Sequence, residues 1–237
     1  GWGFDPLSEF AIVDYGDMAF DYARVAAFPE AVTDHFAGIL EAGIGAVALG
    51  GDHYMTLPIL RAYAATFGPL SVIQFDAHSD LWPDDDLSRI DHGTMMYKAV
   101  KTGLVDPARS VQVGIRTECE DYLGMDVIDA RKVHEKGAGW VTAAVREIVG
   151  EAKTYVTFDI DALDPAFAPG TGTPVAGGPS SAKMLAVLRH LKNLQLVGAD
   201  VVEVSPPYDH ADITAIAGST VAMYVLGMLA EKKANHG

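Results

Sequence analysis

Short apolar runs alternate with helical patterns along the whole chain, and this alternation constrains the fold more than any other feature. Seven runs are strand candidates, at residues 10–13, 46–49, 70–75, 110–115, 125–128, 154–160 and 194–204. Several are apolar almost without interruption, as strands covered on both faces must be. The alternation predicts an α/β fold in which a mostly parallel sheet lies between layers of helices.

The helix candidates lie between these runs. One carries an apolar stripe with three- and four-residue spacing, formed by Phe28, Val32, Phe36, Ile39 and Leu40. Others are predicted at residues 57–66, 95–102, 141–149, 181–191 and 213–232. The sequence has no internal repeat, low-complexity tract or Pro/Ser linker, so residues 1–237 are predicted to form a single domain.

The charge balance limits the class of partner. Lysine and arginine number 17 against 32 for aspartate and glutamate, which gives a formal net charge of −15. Because affinity for phosphates comes mainly from basic side chains, this balance disfavours a nucleic-acid or anionic-membrane binder. It is compatible with a cationic substrate or with bound metal ions.

Two further features bear on location. Cys119 is the single cysteine, which excludes an intrachain disulfide framework and fits a reducing compartment, and no signal peptide is visible. The stretch Ile213–Ala230 carries no charge, but it contains glycine and hydroxyl residues and is flanked by Asp212 and Glu231. We interpret it as a buried helix at the end of the domain rather than a membrane span. A cytoplasmic protein with no membrane partner is therefore expected.

Polar side chains that do not belong in a core follow four of the predicted strands. They are Asp52 and His53 in the first group, Asp76, His78 and Asp80 in the second, Asp159 and Asp161 in the third, and Glu203 in the fourth. Chemistry in parallel sheets collects at the carboxyl ends of the strands, and alternate residues of an extended chain share a face. We therefore expect four of the carboxylates and both imidazoles to meet in one pocket, namely those of Asp76, Asp80, Asp159, Asp161, His53 and His78.

Four carboxylates in a partly buried pocket repel one another, and each uncompensated buried charge costs several kcal/mol. Two divalent cations would bring a charge of +4 against −4. Carboxylates with one or two imidazoles suit hard-to-borderline metals such as Mn²⁺ better than thiolate-bound zinc. Two such ions can lower the pKa of a shared water and make a hydroxide nucleophile at neutral pH.

Each motif has a simpler interpretation when taken alone. Asp-x-His-x-Asp is also found as a capped loop with a satisfied histidine, Asp-x-Asp is common in exposed turns, and Gly-Gly-Asp-His is a weak signal. The three motifs follow separate strands of one predicted sheet, however, and their combination favours a dinuclear metal site.

The motifs resemble those of the ureohydrolase family, which includes arginases, agmatinases and guanidinobutyrases. The matching segments are Gly50-Gly51-Asp52-His53, Phe75-Asp76-Ala77-His78-Ser79-Asp80 and Thr157-Phe158-Asp159-Ile160-Asp161-Ala162-Leu163-Asp164-Pro165, the last running on to Pro174. The resemblance covers essentially the whole chain. It implies an arginase-like three-layer α/β/α fold, two Mn²⁺ ions and a homo-oligomer, commonly a trimer or hexamer.

The resemblance also implies a ligand set. Metal A would be held by His53, Asp76, Asp80 and Asp159, and metal B by Asp76, His78, Asp159 and Asp161. Asp76 and Asp159 would therefore bridge the two ions.

Two further roles come from the resemblance alone. His92, in Asp91-His92-Gly93-Thr94, matches the histidine that protonates the leaving amine, although a loop histidine before glycine otherwise reads as a turn residue. Glu203 matches the carboxylate that pairs with the substrate guanidinium; the alternative is a strand-end glutamate facing solvent. Its flanking valines favour an interior position, where a carboxylate needs a cationic partner.

The implied activity is hydrolysis of a small cationic guanidino compound to an amine and urea. A metal-bridging hydroxide would attack the guanidinium carbon, Asp80 would hydrogen-bond the tetrahedral species, and His92 would help to expel the amine. Agmatine, which gives putrescine, is the favoured substrate, because the segment beginning Asp-His-Gly-Thr-Met is similar to that of agmatinases.

Two alternatives remain open. A guanidinobutyrase or another guanidino-acid hydrolase would need a basic partner for the substrate carboxylate, and Lys98 is the one nearby cation, although it could as easily face solvent. The alternative of another class is a truncated, inactive relative that binds metal. Family members usually carry a longer N-terminal stretch with a first central strand, and without that strand a sheet edge would be left unpaired. The run Asp84-Asp85-Asp86 is interpreted as a solvated loop face.

Overall fold

The computed structural model describes residues 5–191 and 193–234, and a six-stranded sheet forms its centre. The strands are β1 (Val47–Leu49), β2 (Ser71–Phe75), β3 (Val111–Val113), β4 (Asp126–Ile128), β5 (Thr154–Asp159) and β6 (Leu196–Val202). Their order across the sheet is β1-β6-β5-β2-β3-β4, and every neighbouring pair is parallel. Six of the seven predicted strands are therefore confirmed.

Helices cover both faces of this sheet. They are α1 (Pro6–Glu9), α2 (Phe28–Glu41), α3 (Thr56–Phe67), α4 (Met95–Lys101), α5 (Ala130–Val149), α6 (Ser181–His190) and α7 (Ile213–Ala234). Alternation along the strands sends Ile73 and Val156 into a core with α5, α6 and α7, and Val72 and Tyr155 into a core with α2, α3 and α4. The predicted three-layer α/β/α fold is confirmed.

Short 3-10 turns supply the remaining helical structure. They are Tyr22–Ala27, His53–Met55, His92–Thr94, Pro107–Arg109, Ile160–Ala162 and Pro206–Tyr208. Three of these turns are preceded by a capping aspartate, namely Asp52, Asp91 and Asp159. Each of these carboxylates accepts a hydrogen bond from a backbone amide of the turn. These caps fix the points at which the chain leaves the sheet on the side of the candidate site.

The prediction of a strand at residues 10–13 is wrong. Residues 11–21 have no regular structure, and Val13 and Tyr15 are mostly exposed. An apolar run forms a strand only where a neighbouring edge and a covering layer are available. Here a groove of about 2390 Å³ lies between residues 10–18 and β1, which pairs on one side with β6.

Helix α5 is longer than predicted. It begins at Ala130 rather than at residue 141, because Asp129 caps its first turn, and Gly137 interrupts it with a φ of +77°.

Helix α7 was predicted to be a buried helix, and the structure buries one of its faces. That face, formed by Thr214, Gly218, Val221 and Val225, packs against the sheet and α6. Within α7, Ile213–Ala230 is long and apolar enough to span a membrane by length and composition, and 39% of that window is buried. Core helices of soluble proteins pass the same test.

A row of polar residues crosses the middle of the sheet. Gln112, Gln74, Thr157 and Asp200 lie side by side on β3, β2, β5 and β6, and all four are fully buried. Because side chains repeat their direction every two residues, this row lies directly beneath Asp76 and Asp159 at the ends of β2 and β5. The sheet thus carries a polar layer under the candidate site.

Candidate metal centre and active site

The predicted ligands meet at the carboxyl ends of β1, β2 and β5. Asp76 follows β2, Asp159 ends β5, and His53 opens the turn that follows β1. His53, Asp76, Asp80, Asp159 and Asp161 are all at most 7% exposed. Five of the six predicted ligands are therefore buried together, and His78, whose side chain is 28% exposed, contacts two of them.

The first cluster surrounds the imidazole of His53. Its Nδ1 lies 3.1 Å from Asp76 Oδ2, 3.1 Å from Asp80 Oδ2 and 3.2 Å from Asp159 Oδ2. One ring nitrogen carries at most one proton, so it cannot donate to three oxygens. Within the described part of the chain, this buried atom has no hydrogen-bond partner of acceptable geometry. A cation would satisfy the nitrogen and the three oxygens together, so the donor set fits a metal ion.

The second cluster surrounds His78. Its Nδ1 lies 3.0 Å from Asp161 Oδ2 and 3.6 Å from Asp76 Oδ1. Asp76 therefore turns one carboxylate oxygen toward each histidine, as the predicted bridging role requires. The ligand atoms of His53, Asp76 and Asp159 lie within 4.8 Å of one another, and so do those of Asp76, His78 and Asp161. The second bridge, through Asp159, stays a prediction.

The protonation equilibria of the cluster show that its charges need compensation. Burial raises the pKa of Asp159 well above its usual value, and repulsion from Asp161 and Asp76 adds to this effect. Burial together with the charge of Asp76 raises the pKa of Asp80 to about 6. Burial alone would also raise the pKa of Asp76, but His53 and His78 hold it below its usual value. Without cations, the carboxylates cannot all stay ionised and share the site at neutral pH.

Two site residues hold strained backbone conformations. Asp80 has a φ of +53° and Glu203 has a φ of +63°, a region that residues other than glycine rarely adopt. The carbonyl of Asp80 accepts from the amides of Met96 and Tyr97 at 3.1 Å, and the amide of Glu203 donates to Gly51 O at 2.8 Å. These contacts hold both side chains toward the pocket against a strain of roughly 1–3 kcal/mol each.

A third cluster lies at the mouth of the pocket. His92 Nδ1 lies 2.9 Å from Asp52 Oδ2 and 3.8 Å from Glu203 Oε1. Asp52 raises the pKa of His92 to about 9, while burial raises the pKa of Glu203. Glu203 Oε1 also accepts from the amide of His53 at 2.7 Å, which links the carboxylate to a predicted metal ligand. The predicted proton donor and guanidinium-binding carboxylate are therefore neighbours.

The sequence interpretation missed the polar layer that supports the ligands. Gln74 Nε2 donates to Asp76 Oδ2 at 2.8 Å, and Gln112 Nε2 donates to Gln74 Oε1 at 2.7 Å. On the other side, His53 Nε2 lies 2.9 Å from Thr157 Oγ1, and Thr157 donates to Asp200 at 2.6 Å. The available signal was a polar residue two positions before Asp76 and before Asp159, inside runs otherwise typical of buried strands.

Two expectations about nearby charges are settled. Lys98 does not face solvent: its side chain is 1% exposed, and its Nζ lies 3.1 Å from Asp84 Oδ2 and donates to Arg89 O at 2.6 Å. The interpretation of residues 84–86 as a solvated loop face is therefore wrong for Asp84, whose side chain is 12% exposed. It faces the buried lysine and anchors the loop that leads to His92.

Comparison with known proteins agrees with this architecture. The arginase family model matches residues 2–227. An agmatinase from Chromobacterium violaceum is 49% identical over 233 residues, which cover 98% of this chain and 72% of the relative. The crystal structure of a hypothetical agmatinase from Burkholderia thailandensis matches with a TM-score of 0.97 and 54% identity, covering 98% of this chain and 74% of that one. Proclavaminate amidinohydrolase from Streptomyces clavuligerus matches with a TM-score of 0.88 and 41% identity, covering 92% and 76%.

The parallel sheet between two layers of helices, with carboxylates and histidines that could hold metal ions at the ends of its strands, defines an α/β protein with a candidate metal centre. This chain belongs to the arginase family. The predicted family resemblance, and with it the predicted ureohydrolase class, is confirmed.

Proposed function

We propose that this protein is a dinuclear manganese enzyme that hydrolyses agmatine to putrescine and urea. The observation that carries the metal site is the environment of His53, whose Nδ1 faces three carboxylate oxygens at 3.1–3.2 Å. The similarity to agmatinases from several bacteria supports the substrate.

The donor set supports manganese. It consists of carboxylates and two imidazoles without a thiolate, which suits Mn²⁺. Metal A would be held by His53, Asp76, Asp80 and Asp159, and metal B by Asp76, His78, Asp159 and Asp161. Divalent cations held by these residues would offset the ligand charges and would lower the pKa of a bound water enough for it to serve as a nucleophile at neutral pH.

The side chains at the mouth would bind the substrate and move the proton. Glu203 would pair with the guanidinium, because a half-buried carboxylate and a planar cation form a strong charge-assisted pair. His92, with its pKa raised to about 9, is protonated at neutral pH and would give its proton to the leaving amine. Asp80 would hydrogen-bond the tetrahedral species.

The surroundings of Lys98 favour agmatine over a guanidino acid. An acid substrate needs a cation for its carboxylate, and Lys98 was the candidate. Its ammonium is buried and already pairs with Asp84 and the Arg89 carbonyl. The net charge of −15 also favours the approach of a dication over that of a zwitterion, an effect that depends on salt.

Single-domain organisation, cytoplasmic location and homo-oligomeric assembly as a trimer or hexamer also belong to this proposal. The free thiol of Cys119 is consistent with a reducing compartment. Light scattering of the purified protein, loaded with metal, measures its assembly state.

Urea release from a panel of guanidino compounds tests the activity. The protein is stripped with a chelator, reloaded with Mn²⁺ and given agmatine, 4-guanidinobutyrate, 3-guanidinopropionate or arginine at the same ionic strength. We expect agmatine to have the highest kcat/KM. A guanidino acid preferred by about tenfold, or ~1.4 kcal/mol in the transition state, would overturn the substrate. Release of urea from none of them, with two Mn²⁺ bound, would favour an inactive metal-binding relative.

A further inference from the structure

Arg116, in the loop that follows β3, makes an unusually complete set of contacts with backbone carbonyls. Nε donates to Val175 O at 2.9 Å, Nη1 to Gly114 O at 3.1 Å and Ala162 O at 3.2 Å, and Nη2 to Asp161 O at 2.6 Å and Leu163 O at 3.1 Å. A guanidinium has five N–H donors, so its full hydrogen-bonding capacity is directed at carbonyls.

Three of these carbonyls belong to consecutive residues at the end of the turn Ile160–Ala162. Carbonyls at the end of a helical turn have no partner within the turn and need a donor from elsewhere. Arg116 supplies that donor for residues 161–163. It also joins this turn to the end of β3, through Gly114 O, and to the loop at Val175.

The turn held in this way carries a predicted metal ligand. The carboxylate of Asp161 lies 3.0 Å from His78 Nδ1, and its other oxygen accepts from the amide of Ala77 at 3.1 Å. The backbone carbonyl of the same residue accepts the shortest of the five bonds from Arg116. A shift of that carbonyl would therefore move the Asp161 carboxylate relative to His78.

The surroundings are shaped to admit the guanidinium. A Cβ on Gly178 would lie 2.7 Å from Arg116 Nη2 and 2.7 Å from the amide nitrogen of Asp164. Only glycine leaves room for both groups, and the amide of Gly178 donates to Asp164 Oδ2 at 3.0 Å. Burial lowers the pKa of the Arg116 guanidinium, and the charges of Asp161, Asp164, Asp76 and Asp159 oppose this effect.

We propose that Arg116 is a positioning residue for the second metal site, acting through the backbone of residues 161–163 to hold Asp161 against His78. The inference rests on the proposed dinuclear site. It predicts that the geometry of the guanidinium matters in addition to its charge, because lysine keeps the charge but has three donors and no planar fork.

The test compares wild type, Arg116→Lys and a control, Arg131→Lys, as full-length protein stripped of metal. The side chain of Arg131, on α5, is 78% exposed, and its Nε lies 3.9 Å from Glu135 Oε1. The affinity of each Mn²⁺ equivalent is measured by titration, and the Tm of the metal-free protein is recorded. For Arg116→Lys we expect the second equivalent to bind about 10–100-fold more weakly, the range typical of losing support for a ligand. The affinity for the first equivalent in Arg116→Lys, and both affinities in Arg131→Lys, should equal those of wild type.

The outcomes separate this inference from the proposed function. Wild-type affinity for both equivalents in Arg116→Lys would overturn the positioning role and leave the dinuclear site standing. Equal weakening of both equivalents together with a lower Tm would also overturn it, since that pattern indicates general support of the fold. A wild-type protein that binds fewer than two equivalents would overturn the dinuclear site, and this inference with it.

A second variant keeps the test decisive if Arg116→Lys does not fold. Gly178→Ala keeps Arg116 but forces its Nη2 to shift, and Gly139→Ala, where an added Cβ meets no atom within 4 Å, is the matched control. We expect selective weakening of the second Mn²⁺ equivalent in Gly178→Ala and none in Gly139→Ala. Wild-type binding in a folded Gly178→Ala protein would overturn the role of Arg116.

Discussion

The carboxylate of Asp52 and the imidazole of His92 lie 2.9 Å apart, although 40 positions separate them in the sequence. The other oxygen of Asp52 accepts from the amide of Tyr54 and caps the turn that begins with His53. One aspartate thus joins the turn of the first metal ligand to the proposed proton donor. Its hydrogen bond to the imidazole, together with its negative charge, also raises the pKa of His92 to about 9.

Asp52→Asn should move the pH dependence of turnover. The asparagine oxygen can still cap Tyr54 and accept from His92, but the negative charge is lost, so the pKa of His92 should fall from about 9 toward 6.5. A general acid works only while protonated, so the alkaline decline of kcat should begin at lower pH. A pH–rate profile at saturating agmatine measures this shift. Asp91→Asn is the control, because its carboxylate caps Gly93 and pairs with Arg89. An unchanged profile in Asp52→Asn would contradict the role of the pair.

His92→Asn should separate chemistry from metal binding. Loss of a general acid typically lowers kcat by about 10²–10⁴-fold. His92 contacts Asp52 and Glu203 rather than the two ligand clusters, so Mn²⁺ content should stay at the wild-type value. Steady-state kinetics and metal analysis of the same sample provide the check. Normal turnover in this variant would show that another group supplies the proton.

Glu203→Gln should act mainly on substrate binding. A glutamine at this position can still accept the bond from the amide of His53, so the local fold is retained. It lacks the charge that pairs with a guanidinium, and hydrogen bonds to charged groups are worth about 1.5–3 kcal/mol. Loss of a binding free energy of this size corresponds to a KM for agmatine raised roughly 10–100-fold. A KM equal to that of wild type would place guanidinium recognition elsewhere.

The metal-free protein should lose stability as pH rises from about 6.5 to about 10. Asp161 and Asp76 raise the pKa of His78 to about 10, and Asp52 raises that of His92 to about 9. A histidine whose folded pKa is raised contributes stability below its unfolded pKa of about 6.5, and this contribution disappears as pH passes the folded value. Asp80 and Asp159, whose pKa values burial raises, also lose a stabilising contribution as pH rises, but this loss begins lower, at their unfolded pKa of about 3.9. Tm measured in chelator at several pH values tests this, and Mn²⁺-loaded protein should show a smaller decline.

The clustering of the candidate ligands could be predicted because their pattern in the sequence is local. Asp76, His78 and Asp80 alternate at the end of one predicted strand, and Asp159 and Asp161 alternate at the end of another. Several charged side chains at the ends of buried strands need compensating charges, which is why their sequence alone indicates a cation site. The polar layer could not be predicted in this way. Asp200 and Gln74 are polar residues in apolar runs, and only the register between β2, β5 and β6 shows that they lie side by side.

Long-range pairing also explains the errors. Residues 10–13 have the composition of a strand, but whether a run becomes a strand depends on a neighbouring edge that its own sequence does not describe. Lys98 has a position on α4 compatible with either solvent or the interior. Its burial depends on Asp84 and the carbonyl of Arg89, which the preceding loop brings over the helix. In each case a contact between distant segments decides the outcome.

Lys98→Met provides the last prediction, because it separates a structural lysine from a substrate-binding one. Methionine fills a similar volume but leaves Asp84 Oδ2 and the carbonyl of Arg89 without their partner. Removing one member of a buried ion pair leaves the charge of the other uncompensated, so we expect a lower Tm. We also expect a reduced kcat, because the loop that leads to His92 loses its anchor. The ratio of kcat/KM for agmatine to that for 4-guanidinobutyrate should not change, because the ammonium is buried and already pairs with Asp84 and the Arg89 carbonyl.

Lys101→Met is the matched control on the same helix. Lys101 is exposed, with its Nζ 5.4 Å from the centre of the Tyr97 ring, so its loss should leave Tm and kcat near the wild-type values. A substrate-binding lysine would behave differently from a structural one. If Lys98→Met lost activity selectively toward 4-guanidinobutyrate while its Tm stayed constant, Lys98 would be a carboxylate partner. That result would favour a guanidino-acid hydrolase, with the metal chemistry of the site unchanged.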